Sequence, residues 1–163
     1  MPQWLVSGFS LAGLLVVVAQ QAPGIVWALR PPDDDPFSRN AGSLLVEVLE
    51  KTFGIATIAL LVVVFSRTTV PHVVTGSMFA GALLVLAAYY ALYVLYYRGV
   101  TGLPVILGMA AFPPLAFALT AMGQGNWPAL ATTVVFGCVH IGLTYANFGP
   151  GSTGRAVRTA SVE

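Results

Sequence analysis

Glu47, Glu50, Lys51 and Gly54 stand at positions i, i+3, i+4 and i+7, a spacing that puts all of them on one face of a helix. They open an apolar run that extends from Ser43 to Ser66. Counting back from Arg67, about 20 residues at 1.5 Å each reach Glu47, so these side chains meet the boundary of a hydrocarbon layer. Ionisable groups at that depth are costly and generally face a bundle interior, where they mark function. A carboxyl group in half-dry surroundings has a raised pKa and can give up a proton, which makes Glu47 and Glu50 candidate general acids. The plainer account is a Glu47–Lys51 pair snorkelling at the headgroups, with Glu50 solvated.

Tyr89, Tyr93, Tyr96 and Tyr97 share a second helical face, with Tyr90 to its side. Tyr96 and Tyr97 fit an interfacial aromatic belt. Tyr89 and Tyr90 lie about two turns deeper, where their hydroxyls need partners, and with Tyr93 they are expected to line a pocket. Their ring faces would stabilise a cation, either an ammonium ligand or a carbocation. His140 falls about 20 Å beyond Trp127, past the bilayer midplane and close to Thr144, Tyr145 and Asn147. It would accept a proton, or else simply join two helices by a hydrogen bond. Gln20, Gln21 and Trp27 add polar and aromatic groups in the same half of the first apolar stretch.

Other residues limit the chemistry. His72 lies at the opposite boundary from His140, and the single cysteine, Cys138, excludes a multi-thiolate zinc site. Cys138 is expected to pack as a small apolar residue. No metal and no cofactor is expected. Asp33, Asp34 and Asp35, flanked by prolines and by Arg30 and Arg39, would suit a Mg²⁺-diphosphate, although a short acidic loop also serves as a plain solvated connection.

Five apolar stretches position these groups: Trp4–Leu29, Ser43–Ser66, His72–Tyr97, Leu103–Met122 and Trp127–Asn147. Each approaches the roughly 20 residues that cross a bilayer as a helix. The chain is 57% hydrophobic and only 8% charged, far from a soluble domain, and a net charge of +1 without a basic cluster excludes nucleic-acid binding. With the N-terminus outside, six of the seven basic residues (Arg30, Arg39, Lys51, Arg98, Arg155 and Arg158) face the cytoplasm and only Arg67 lies outside. The expected fold is an all-α integral membrane protein, a bundle of five transmembrane helices with the N-terminus outside and the C-terminus cytoplasmic. Residues 1–148 form its single domain and 149–163 a flexible tail.

Within the helices, Pro23 is expected to kink the first, and Pro113-Pro114 to open the fourth or merely bend it. Gly123-Gln124-Gly125-Asn126 reads as a tight turn into Trp127-Pro128. The first stretch lacks a basic residue ahead of it and is too long for a cleaved signal, so it reads as a retained helix. Ser77 and Gly81, in small-xxx-small spacing, would support self-association.

These features point to a small enzyme of the cell membrane whose pocket opens to the cytoplasmic leaflet, with membrane lipid and an apolar small molecule as partners. The substrate would be an isoprenoid or other lipid. Glu47 or Glu50 would protonate an alkene or epoxide, the tyrosines would stabilise the cation and His140 would take a proton. In kind this resembles the chemistry of small membrane-bound terpene cyclases. The alternative is a non-catalytic transporter, lipid-binding or accessory subunit, with a homo-oligomer possible in that class.

Overall fold

The computed structural model describes residues 5–30, 43–66 and 70–150. Its elements run β1 (Leu5–Ser7), α1 (Leu11–Leu29), α2 (Leu44–Val63), β2 (Val64–Ser66), α3 (His72–Tyr97), α4 (Leu103–Gly123) and α5 (Trp127–Phe148). The acidic loop Asp33-Asp34-Asp35, Arg39, Arg67, Arg155 and Arg158, and the tail from 151 onward, fall outside the described residues.

Four helices, α1, α3, α4 and α5, are long and apolar enough to cross a membrane. The second matches them in length, at 20 residues, but carries Glu47, Glu50 and Lys51 in its first half. Large apolar side chains such as Leu15, Val73 and Leu84 are more than 60% exposed on the bundle surface, as expected where the solvent is lipid rather than water. The fourth helix is the centre of the bundle. It is 56% buried across its most apolar stretch, against 17–22% for α1, α3 and α5.

Contacts fix an antiparallel register between successive helices. Gly81 of α3 meets Leu119 of α4, and Leu92 meets Gly108. Between α2 and α5, Gly54 faces Phe136 and the Thr57 hydroxyl donates to Thr132 at 3.2 Å. Gly137 of α5 lies so close to Pro114 of α4 that an added Cβ would stand 3.0 Å from the proline ring. Of the Ser77–Gly81 pair, Ser77 is exposed on α3 and Gly81 is partly covered by α4. Gly81 packs on Leu119, and the Ser77 hydroxyl bonds the carbonyls of Val73 and Val74.

The first and second helices are shorter than their apolar runs. Ser10 caps α1, its hydroxyl accepting from the Gly13 amide at 3.1 Å, and Leu5–Ser7 pair antiparallel with Val64–Ser66. This ribbon continues a full accounting of the orphan carbonyls at the end of α2. Leu60 accepts from the Asn126 amide side chain at 2.8 Å and Leu61, at 3.4 Å, from Gln124. Val62 accepts from the Ser10 amide and Val63 from the Gly8 amide, each at 2.8 Å. A helix can therefore stop short without leaving bare carbonyls in an apolar layer. The turn at 123–126 forms as its sequence implies, with Gly125 at φ 63° and Asn126 capping α5.

Candidate functional site

Pro23 and Pro113-Pro114 shape the half of the bundle opposite that ribbon. A proline has no N–H, so the carbonyl four residues earlier loses its helical donor. For Pro23 that carbonyl belongs to Ala19, and the Tyr90 hydroxyl of α3 donates to it at 2.6 Å. This bond pins the turn of α1 that carries Gln20. For Pro113 and Pro114 the freed carbonyls are those of Met109 and Ala110. Met109, Ala110 and Pro113 all line a cavity of about 150 Å³.

Four helices enclose that cavity. Gln20 comes from α1, Tyr89 and Tyr93 from α3, Ile106 with the three residues just named from α4, and Phe136, His140 and Thr144 from α5. Each set has helical spacing, so the lining is a meeting of stripes. Tyr89 and Tyr93 pack edge to face with centroids 5.1 Å apart, and the Tyr89 hydroxyl interacts with Gln20 and Tyr93. Thr144 donates to the His140 carbonyl at 2.8 Å.

The second helix supplies the ionisable partner from behind. The Glu50 carboxylate pairs with Nδ1 of His140, and the imidazole stacks on Phe136 with centroids 5.1 Å apart. One turn along α2, Gly54 leaves room for that phenyl ring; a Cβ there would lie 3.3 Å from it. The face read as Glu47, Glu50, Lys51 and Gly54 thus turns Glu50 and Gly54 toward α5. Glu50 fixes the ring orientation of His140 as a carboxylate does in a carboxylate–histidine pair, leaving Nε2 as the free ring nitrogen. Pairing also meets the cost of two ionisable groups in an apolar bundle. Their side chains keep 30% (His140) and 22% (Glu50) exposure, so the pair is reachable from outside.

The structure redistributes the expected site. Gln20, Tyr89, Tyr93 and His140 meet as lining residues, with Glu50 directly behind. Tyr90 does not line the cavity: it is 40% exposed, and its hydroxyl serves the α1 carbonyl freed by Pro23. Gln21 is exposed and turned away, because adjacent helical residues lie about 100° apart. Tyr145 is likewise 53% exposed while its neighbour Thr144 takes the inward position. Glu47 is half-buried, a turn earlier on α2, and stands apart from the lining. Trp27 packs on the cluster of Tyr89, Tyr96 and Met109, supporting the wall from outside. Cys138 is exposed rather than packed, being two residues from His140 on α5.

Ile106, Met109, Ala110 and Phe136 were not among the expected site residues. Their signal was present in spacing: Ile106, Met109, Ala110 and Pro113 run i, i+3, i+4 and i+7, and Phe136 precedes His140 by four. Among the described residues no group of three or more His, Cys, Asp or Glu is placed to hold a metal. The five charged residues in the described segments, Arg30, Glu47, Glu50, Lys51 and Arg98, all fall at the cavity end of the bundle. Searches against protein-family models, curated proteins and solved structures find no match to this chain.

Proposed function

We propose that the protein is a small membrane-embedded enzyme in which the Glu50–His140 pair moves a proton to or from a lipidic substrate, an isoprenoid or a relative, reaching the cavity from the cytoplasmic leaflet. All five helices cross the membrane in this reading, with the N-terminus outside, the C-terminus cytoplasmic and the cavity in the inner half. Its support is the asymmetry of charge: the basic residues among the described ones, Arg30, Lys51 and Arg98, lie at the cavity end, as loops on the cytoplasmic side should.

The observation that carries the reading is an oriented carboxylate–imidazole pair opening onto a cavity with two tyrosines. Glu50 holds the ring through Nδ1, and Phe136 stacks on its face. His140 Nε2 then delivers the proton, and takes it back from the other side of the reaction. The roles first assigned to Glu and His are exchanged, because Glu50 lies behind His140 and not in front of it. Glu47 has no part in this mechanism.

The cavity's volume favours one of two versions. About 150 Å³ holds a group the size of a benzene ring. A cyclisation must fold a chain of about 10 or more carbons within its walls, and pockets for such ligands run to roughly 300 Å³ and beyond. Proton transfer at one end of the substrate, with its tail left in the bilayer, suits the cavity better than cyclisation. The test is mass spectrometry of lipids that co-purify in mild detergent with the wild type and with a His140→Gln/Tyr89→Phe double variant. A discrete lipid retained only by wild type is expected. Identical bulk lipid in both samples would reduce the pair to a structural link.

A further inference from the structure

The chemistry of the lining narrows the substrate. Half of the ten lining residues are polar (Gln20, Tyr89, Tyr93, His140 and Thr144), too many for a hydrocarbon end alone. The Tyr89 hydroxyl already engages Gln20 and Tyr93, and Thr144 bonds the His140 carbonyl, but the second Gln20 amide hydrogen and His140 Nε2 keep capacity that an alkene could not use. Among the described residues neither lysine nor arginine lines the cavity, and the carboxylate of Glu50 stands directly behind it. A phosphate or diphosphate would meet that negative charge without a cation of its own. The occupant is therefore neutral and bears oxygen.

Its shape follows from the walls. Tyr93 packs edge-on to Tyr89, and α5 presents the stacked Phe136 and His140 to the same cavity. Aromatic surfaces such as these favour a flat ring in offset or edge contact. The volume matches one unfused six-membered ring. The Gln20 amide is a donor; His140 Nε2, with Nδ1–H given to Glu50, accepts from a ring hydroxyl and donates to a ring carbonyl only in the protonated imidazole. The exposed apolar faces around the bundle leave room in lipid for a long tail.

We infer that the cavity binds the ring of a lipid quinone or phenol, its oxygens hydrogen-bonded by Gln20 and His140 and its isoprenoid or alkyl tail in the bilayer. This inference rests on the proton-transfer reading above and names its substrate class. It concerns binding of the ring and, for a phenol, proton exchange with His140 at the ring carbon ortho or para to the hydroxyl, one proton gained for one lost.

The probe is decyl-benzoquinone, titrated into the full chain in lipid nanodiscs and followed by equilibrium dialysis beside farnesol and farnesyl phosphate. One saturable site for the quinone is expected, with farnesyl phosphate at least tenfold weaker. Gln20→Leu should weaken quinone binding about tenfold, the worth of one well-made hydrogen bond. Tyr93→Phe, which keeps the ring, should weaken it severalfold, and Gln21→Leu, one residue along but outward-facing, should leave it unchanged. Saturable farnesol binding that depends on Gln20 while the quinone partitions only into lipid overturns the ring assignment and leaves the proton-transfer reading standing. Preferred binding of farnesyl phosphate overturns the neutral head. No saturable site for any of the probes overturns both.

Discussion

Replacing Tyr90 with phenylalanine tests how this bundle tolerates a proline inside α1. The substitution removes one oxygen and keeps the ring, including its edge contact with Tyr89 at 6.2 Å. What is lost is the 2.6 Å bond to the Ala19 carbonyl, whose normal donor is missing because residue 23 is proline. An unmet carbonyl away from water costs about 1–3 kcal/mol, and this one lies on the exposed, lipid-facing side of α1, whereas side-chain bonds between membrane helices average about 0.6 and reach about 1.7. A carbonyl with no second donor belongs near the top of that membrane range, so Tyr90→Phe should destabilise by about 1.5 kcal/mol. In a Pro23→Ala background the residue-23 amide can donate to Ala19 again. There the same change should cost under about 0.5 kcal/mol, giving a coupling of about 1 kcal/mol. Reversible unfolding by SDS in mixed micelles measures all four proteins of the cycle. An equal cost of Tyr90→Phe in both backgrounds would refute the reasoning.

Other consequences follow from particular contacts. Gly13→Ala places a Cβ 2.0 Å from the Leu61 carbonyl oxygen, which backbone cannot easily yield; a loss of about 3 kcal/mol is expected by the same unfolding assay, whereas Gly76→Ala, with open space around it, should be neutral or slightly stabilising. Asn126→Ala removes both the α5 cap and the donor to the Leu60 carbonyl, and should cost about 2 kcal/mol. Removing His140 leaves the Glu50 carboxylate unpaired in apolar surroundings, whereas removing Glu50 leaves an imidazole without its partner, so His140→Gln should destabilise more than Glu50→Gln and the double variant should cost clearly less than their sum. For orientation, in a Cys138→Ser background, a membrane-impermeant maleimide should label His72→Cys in intact cells and Thr101→Cys only after lysis; the reverse pattern would invert the bundle.

The helices were legible because apolar length and glycine–asparagine punctuation are local signals. The boundaries of α3, α4 and α5 followed from Tyr97, Gly102 and the 123–126 turn. The ends that misled were Leu5–Ser7 and Val64–Ser66. Apolar composition alone does not distinguish a last helical turn from a strand, and the pairing that decides it joins residues about 60 apart. The site was half legible for a related reason. Helical spacing placed Glu50, Gly54, Tyr89, Tyr93 and His140 on coherent faces, but which face turns inward depends on the neighbour. Gln20 and Gln21, or Thr144 and Tyr145, differ by one residue and by the whole direction of the side chain. Tyr90 was read as a pocket residue because its depth demands a partner; the partner was the carbonyl released by Pro23, a link between two features that had each been noticed separately. The pairing of Glu50 with His140 joins residues 90 positions apart and has no local signature.

The central claim is that Glu50 and His140 exchange a proton with a substrate held in the cavity. Incubating the purified protein with a total membrane lipid extract in D₂O, then analysing the lipids by high-resolution mass spectrometry, tests it most directly. A single lipid class gaining carbon-bound deuterium with wild type, and with Gln21→Leu, but not with Glu50→Gln or His140→Gln is the predicted result. Labelling that persists unchanged in both variants, or none above a protein-free control with wild type, would contradict it.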